Sequence, residues 1–175
     1  HAIHMGAARS TATDQPTFAD LDRVDESPVR CFDAGAEEAM IDEVKDAAKD
    51  AVERARDATM NGGAPVTVGV IDSDQQSRLF VAGSVSMAQI ALAASQPFTI
   101  RWRLADNSYA DLDAAGMIGM GVELGQFVNA CCQTGFDLKD QIDGAEDAQE
   151  VAAIDIAAAF ALLSTPAPDT SSPIV

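Results

Sequence analysis

The sequence predicts an α+β protein: a small antiparallel sheet, one strand plus a β-hairpin, packs against several Ala-rich helices behind an extended arm and a long helix. Three stretches carry that prediction. In residues 98–113 the apolar Phe98, Ile100, Trp102 and Leu104 share one parity while Thr99, Arg101 and Arg103 take the other, the period of a half-buried strand. Asp106-Asn107 breaks the run, because both side chains tolerate positive φ and bond their own backbone, so the chain turns back as a hairpin and enters a helix. Residues 34–60 space their apolar side chains by threes and fours, as an amphipathic helix does. Residues 66–71 are short and β-branched, and read as a strand.

In chain order, residues 1–33 carry Pro16 and Pro28 and no sustained period, and are expected to be an extended arm, unstructured or laid over a partner. The opening His1-Ala2-Ile3-His4-Met5 leaves Met5 as a candidate native start. Asp33 offers an N-cap for a helical stalk at 34–61, with Glu37 and Glu38 where the helix dipole favours anions, and Asn61-Gly62-Gly63 followed by Pro65 ends it. Its seam is mostly alanine beyond Val44, and alanine buries little area. The stalk is therefore expected to pack on a copy of itself or on the following domain, and Ile41, Val44, Ala48, Ala51 and Ala55 are the candidate partner-binding residues.

A small domain is expected over 66–163. After the strand at 66–71, residues 72–76 form a turn and Ser77 is placed to cap a helix at 78–95, whose Leu79, Val85, Met87, Ile90 and Leu92 give it a broad apolar surface. Gln96-Pro97 ends that helix and launches the hairpin. Asp113 caps a helix at 114–134 with Met117, Met120, Leu124, Phe127 and Cys131 on its buried side; breaks at Gly135 and Gly144 frame a segment at 136–142. Residues 148–163 are Ala-rich and expected to be helical or partly helical, and 164–175 form a polar, Pro-rich tail.

The formal net charge of −17 repels phosphate backbones and anionic headgroups, so neither nucleic acid nor membrane insertion is expected. No signal peptide or membrane-spanning apolar run is evident, and a soluble chain is expected. Cys31, Cys131 and Cys132 are odd in number and lack a zinc spacing, which fits buried free thiols.

No constellation for chemistry emerges. Asp72 and Asp74 begin like a calcium loop, but Ser77 and Gly83 stand where the turn glycine and the bidentate Glu belong, so a turn and helix cap explain them. Gly119-Met120-Gly121 lacks the third glycine of a dinucleotide loop, Leu124 taking its place, and close helix packing accounts for Gly121 and Gly125. His1 and His4 both lie in the arm, so Ser73, Ser77, Ser84 and Ser86 have no base. Asp106, Asp111 and Asp113 are a turn residue, a strand residue and a cap rather than an acid–base pair, and Arg101 and Arg103 are expected to pair with acidic neighbours. No catalytic residue, cofactor site or metal site is expected.

The segments Ile100-x-Trp102-x-x-Ala105-Asp106-Asn107-Ser108, Leu112-Asp113-Ala114-Ala115-Gly116-Met117-Ile118, Val128-Asn129-Ala130-Cys131 and Leu138-Lys139-Asp140-Gln141-Ile142, with the helix from Arg78, cover about residues 66–157. In these the chain resembles an uncharacterised bacteriophage domain family found at the C-terminal ends of tail-fibre and tail-tip-associated proteins. A departure is Phe127, where such proteins commonly carry a His. The resemblance implies a structural tail component in the virion, homo-oligomeric as a trimer or hexamer, with other tail proteins as partners and no catalysis. The competing expectations are a tail-assembly chaperone or adaptor and a host-receptor or glycan-binding module using Trp102 and Tyr109.

Overall fold

The computed structural model describes residues 34–165. The expected arm at 1–33, with His1, His4, Cys31 and the cap Asp33, and residues 166–175 of the expected tail lie outside the described residues. The fold is α+β and mostly helical: α1 (Ala34–Asn61), β1 (Ala64–Val66), β2 (Gly69–Ile71), α2 (Gln75–Ala93), β3 (Thr99–Arg103), β4 (Tyr109–Asp113), α3 (Ala114–Gly144), α4 (Ala148–Ala153), α5 (Ile156–Ala161) and a 3-10 turn (Leu162–Ser164). No helix among the described residues is long and apolar enough to cross a membrane.

The spine is α3. Met117, Met120, Leu124, Phe127, Cys131, Gly135, Leu138 and Ile142 recur by threes and fours along one buried face, the spacing that keeps residues on one side of a helix. Asp113 starts it as expected, its Oδ1 accepting the Gly116 amide at 2.7 Å. The helix does not break at Gly135, however. A side chain there would point at Val52 and Arg56 of α1, so the glycine lets the two helices approach instead of ending one. Its end comes at Gly144.

Two apolar clusters line this face. Around its first half gather Ala64, Ile71, Val81, Ala88, Leu104 and Leu112; around its second half gather Val52, Ala145, Val151 and Phe160. Helix α1 runs antiparallel to α3, with Lys45 and Lys49 at Asp143, Glu53 at Lys139, and Val52 at Gly135. Val44, Ala48 and Ala55 pack on the second cluster beside the buried Val52, so most of the candidate seam is covered by α3, α4 and α5 of its own chain. Ile41 and Ala51 are half-buried on the same helix. The expected stalk at 34–61 is thus laid against the domain rather than standing apart from it. Burial of Val52 stabilises the contact by about 1.5–3 kcal/mol, while Lys45 and Lys49 meet the carbonyl and carboxylate of Asp143 at the negative end of α3. The apolar term holds the helices together; the exposed ion pairs set their register.

The run 66–71 is not one strand. It folds on itself as β1 and β2, with Val66 opposite Gly69 and a two-residue turn between them. Gly69 makes this possible: its φ of +131° is a region L side chains avoid, and a Cβ there would sit 3.0 Å from Leu104. Glu123 of α3 secures the turn by accepting both the Thr67 amide (2.7 Å) and hydroxyl (2.6 Å). The β content is therefore two two-stranded antiparallel sheets, bridged by the Ala105 amide donating to the Val70 carbonyl at 2.8 Å. The second hairpin has the expected break, with Asn107 at φ +66°. Ile100 and Trp102 face the core and Thr99, Arg101 and Arg103 face outward, although the indole is half-buried rather than enclosed.

Helix α2 begins earlier than expected because Asp74, not Ser77, is its N-cap, accepting the Gln76 and Ser77 amides and the Ser77 hydroxyl. It ends in the reciprocal amide–carbonyl pattern of a left-handed cap, Gln96 to Ala91 and Ser95 to Leu92, with Ser95 at φ +52°. The buried Ser73 ties this region to α1, its hydroxyl donating to the Met60 carbonyl and accepting the Gly63 amide, while Arg78 Nη1 donates to the Met60 and Ser73 carbonyls. The expected helical or partly helical stretch at 148–163 is two short helices, α4 and α5, because the Asp155 carboxylate accepts the Ala158 amide and caps a new helix from Ile156.

Two predictions follow from this packing. A Cβ at Gly121 would fall 2.5 Å from Val85, whereas at Gly125 it would meet nothing. Gly125→Ala should therefore stabilise the protein by about 0.5–1 kcal/mol through helix propensity, while Gly121→Ala should lower the denaturant midpoint despite the same propensity gain. The Lys139 ammonium holds the Glu53 carboxyl below its usual range, and the Ser77 hydroxyl and amide do the same for Asp74. These contributions are complete above the ordinary carboxylate pKa of about 4 and are lost as pH falls through the lowered folded values. Urea midpoints measured across pH 3–7 should drop in acid, and Glu53→Gln should flatten that limb.

Candidate functional site

The feature that needs explaining is the outer face of α2. Leu79 is 67% exposed, Phe80 60%, Met87 64% and Ile90 69%, although all four are large and apolar. They are exposed because α2 touches α3 through a narrow strip, Val81 and Ala88, with Val85 beside it. Soluble helices normally put charge opposite such a strip; α2 has only Arg78, and no acidic residue occurs between Asp74 and Asp106. In a chain of net charge −17, this is a long uncharged apolar surface. Patches of this kind mark contacts with other macromolecules.

Beside it, Arg78, Val81 and Val85 of α2 and Ile118, Gly121 and Val122 of α3 line an open groove of about 350 Å³. At its floor Val85 leans into the space a side chain at Gly121 would occupy, so the two helices approach closely there. The walls are mostly apolar, with Gln89 and Arg78 as the polar lining, and Arg78 already donates through Nη1 to Met60, Asn61 and Ser73. Such a depression suits an inserted apolar side chain better than a small charged substrate.

The sequence-derived candidates fall elsewhere. Ile41, Val44, Ala48, Ala51 and Ala55 line α1, and Val44, Ala48 and Ala55 contact the protein's own second cluster. Trp102 and Tyr109 do not form a stacking pair: Trp102 lies opposite Ala110 and Tyr109 opposite Arg103, which puts them on opposite faces of the hairpin. Arg101 stands opposite Asp111 in the ladder, but its guanidinium stacks over the Tyr109 ring, 4.4 Å from the centroid. Cys131 is buried in the first cluster, where desolvation pushes its thiol pKa up, and the neighbouring Cys132 is half-buried. Among the described residues, no three His, Cys, Asp or Glu side chains are grouped to hold a metal ion. Phe80, Gly83, Met87 and Ile90 were legible as a 3-4-3 spacing in an acid-free stretch, but spacing alone does not say which side of a helix faces inward.

Comparison with known proteins gives two kinds of likeness. About 50 residues are similar to chorismate synthases: 56% identity over 50 residues with that of Nocardia farcinica (29% of this chain, 12% of the relative), 47% over 49 residues with that of Corynebacterium jeikeium (28% and 12%), and 48% over 50 residues with that of Rhodococcus opacus (29% and 13%). The chain thus spans about an eighth of the length of these curated relatives. No solved structure matches. The second likeness is a family model matching residues 43–158, about two thirds of the sequence, which begins inside α1 and ends in α5. The chain belongs to the family described as Domain of unknown function (DUF4376).

Proposed function

We propose that this protein is a structural component of a bacteriophage tail, a tail-fibre or tail-tip-associated subunit that assembles with other tail proteins and with copies of itself in the virion, without catalysis. One observation carries the assembly part of this reading: the exposed apolar face of α2, free of acidic residues in a strongly acidic chain. Association of like-charged subunits is opposed by long-range repulsion, so contact is favoured where that charge is absent and apolar area is available. The tail setting is supported by the resemblance of the hairpin at 100–108 and the helix start at 112–118 to phage tail-associated domains.

The likeness to chorismate synthases does not carry an enzymatic reading. A stretch matching 12% of such an enzyme is too small a part to bring its activity with it.

Mass spectrometry of purified particles of a phage encoding this chain tests the proposal. The expected result is the chain at a fixed stoichiometry to the other tail proteins. Its presence in infected-cell lysate together with its absence from purified particles would instead identify a tail-assembly chaperone or adaptor and overturn the structural role.

A further inference from the structure

We propose that Asn61-Gly62, where α1 passes into the first hairpin, is a site of spontaneous covalent conversion: the asparagine passes through a succinimide to aspartate and isoaspartate when the end of α1 opens, and the closed junction holds the reaction back. Of the three asparagines in the chain, Asn61 alone precedes glycine. Only there does the attacking main-chain nitrogen belong to a residue with no side chain to obstruct ring closure. Both residues are exposed, so water and base reach them.

In the closed junction each reacting group is occupied. The Gly62 amide, which must lose its proton to become the nucleophile, donates to the Thr59 carbonyl at 3.2 Å. Asn61 Nδ2, the leaving group, donates to the Asp57 carbonyl at 2.7 Å, and Asn61 Oδ1 accepts Arg78 Nη1 at 3.3 Å. A side chain clamped at both ends does not swing its Cγ onto the Gly62 nitrogen while these bonds persist. The last turn of a helix ordinarily opens at little cost. This one is tied down: the buried Ser73 hydroxyl donates to the Met60 carbonyl and accepts the Gly63 amide, and Arg78 Nη1 donates to the Met60 and Ser73 carbonyls. Conversion is therefore gated by the opening of one polar junction.

The chemistry needs only water and a base. The Gly62 nitrogen gives its proton to base and bonds to Asn61 Cγ, and the Cγ–Nδ2 bond breaks with release of ammonia. Water then opens the ring. Attack at Cγ restores the ordinary backbone with aspartate at 61, and attack at the main-chain carbonyl leaves the chain running through Cγ as isoaspartate. Either product resists reclosure. Aspartate removes the donor to the Asp57 carbonyl and puts an anion at the negative end of α1. Isoaspartate adds a backbone atom just before Gly63, whose amide meets Ser73, and Ala64, which is buried opposite Ile71. A transient opening is thus converted into a lasting change.

Peptide mapping of the full chain by mass spectrometry, with aspartate and isoaspartate peptides resolved, tests this during incubation in mildly alkaline buffer with and without unfolding urea. In urea Asn61 should convert faster than Asn107 and Asn129. In native buffer its conversion should be more than about tenfold slower, by a factor that matches the protection of the Gly62 amide against hydrogen exchange, because the same opening gates both. Arg78→Met, which removes the clamp on Asn61 Oδ1, should speed conversion several-fold in native buffer and leave the rate in urea unchanged. Far-UV circular dichroism separates loss of the clamp from global unfolding, and the exchange comparison on the wild-type chain stands without the variant. No conversion at Asn61 in urea overturns the site. Equal rates in the two buffers, or a native slowing that does not follow Gly62 exchange, overturns the gating, and a folded R78M chain that converts like wild type overturns the clamp.

Discussion

One apolar seam on α3 organises the described part of the protein. Its buried residues, from Met117 to Ile142, are shared between two clusters, and every other element is positioned by the part of that seam it covers. Because the seam runs the length of a 31-residue helix, about 46 Å at 1.5 Å per residue, one neighbour is not enough to bury it. Helix α1 covers the end near Gly144, α2 and the two hairpins cover the beginning, and Gly135 and Gly121 thin the spine where α1 and α2 cross it.

Small residues at those crossings explain a tension in the structure. Close approach through Gly121, Val81 and Ala88 brings α2 onto α3 along a narrow strip, so little of the circumference of α2 is buried. The large side chains of α2 are left on the other side. A sequence selected only for a stable monomer would place charge there, as α1 does with its exposed Asp and Glu residues; α2 places Phe80, Met87 and Ile90 instead. The contact of α2 with its own domain and its exposed large apolar side chains thus lie on opposite faces of one helix.

The polar contacts do a different task from the apolar ones. Ser73, Arg78 and Glu123 satisfy backbone groups where the chain reverses between α1 and α2 and at the first hairpin turn, and no buried side-chain polar atom among the described residues is left without a partner. These contacts fix the geometry of connections that contain two glycines at positive φ. Arg101 and Tyr109 form a similar local pair on the outer hairpin surface, which occupies the guanidinium without a carboxylate.

The local devices were readable from the residues alone: the alternation of Ile100, Trp102 and Leu104, the Asn107 turn, the Asp113 cap, the buried row on α3 and the end of α1 at Asn61-Gly62-Gly63. Each depends on interactions within a few residues, where side-chain type and spacing determine the outcome. Other features depended on partners distant in sequence. Gly135 reads as a helix breaker until α1 is seen against it, residues 66–71 read as one strand until Leu104 and Glu123 are seen holding a turn, and the seam of α1 fits a copy of itself as well as its own domain until α3, α4 and α5 are seen against it. Likewise, which apolar face of α2 is buried was decided by tertiary structure, because periodicity gives the direction of a stripe but not the surface that meets it.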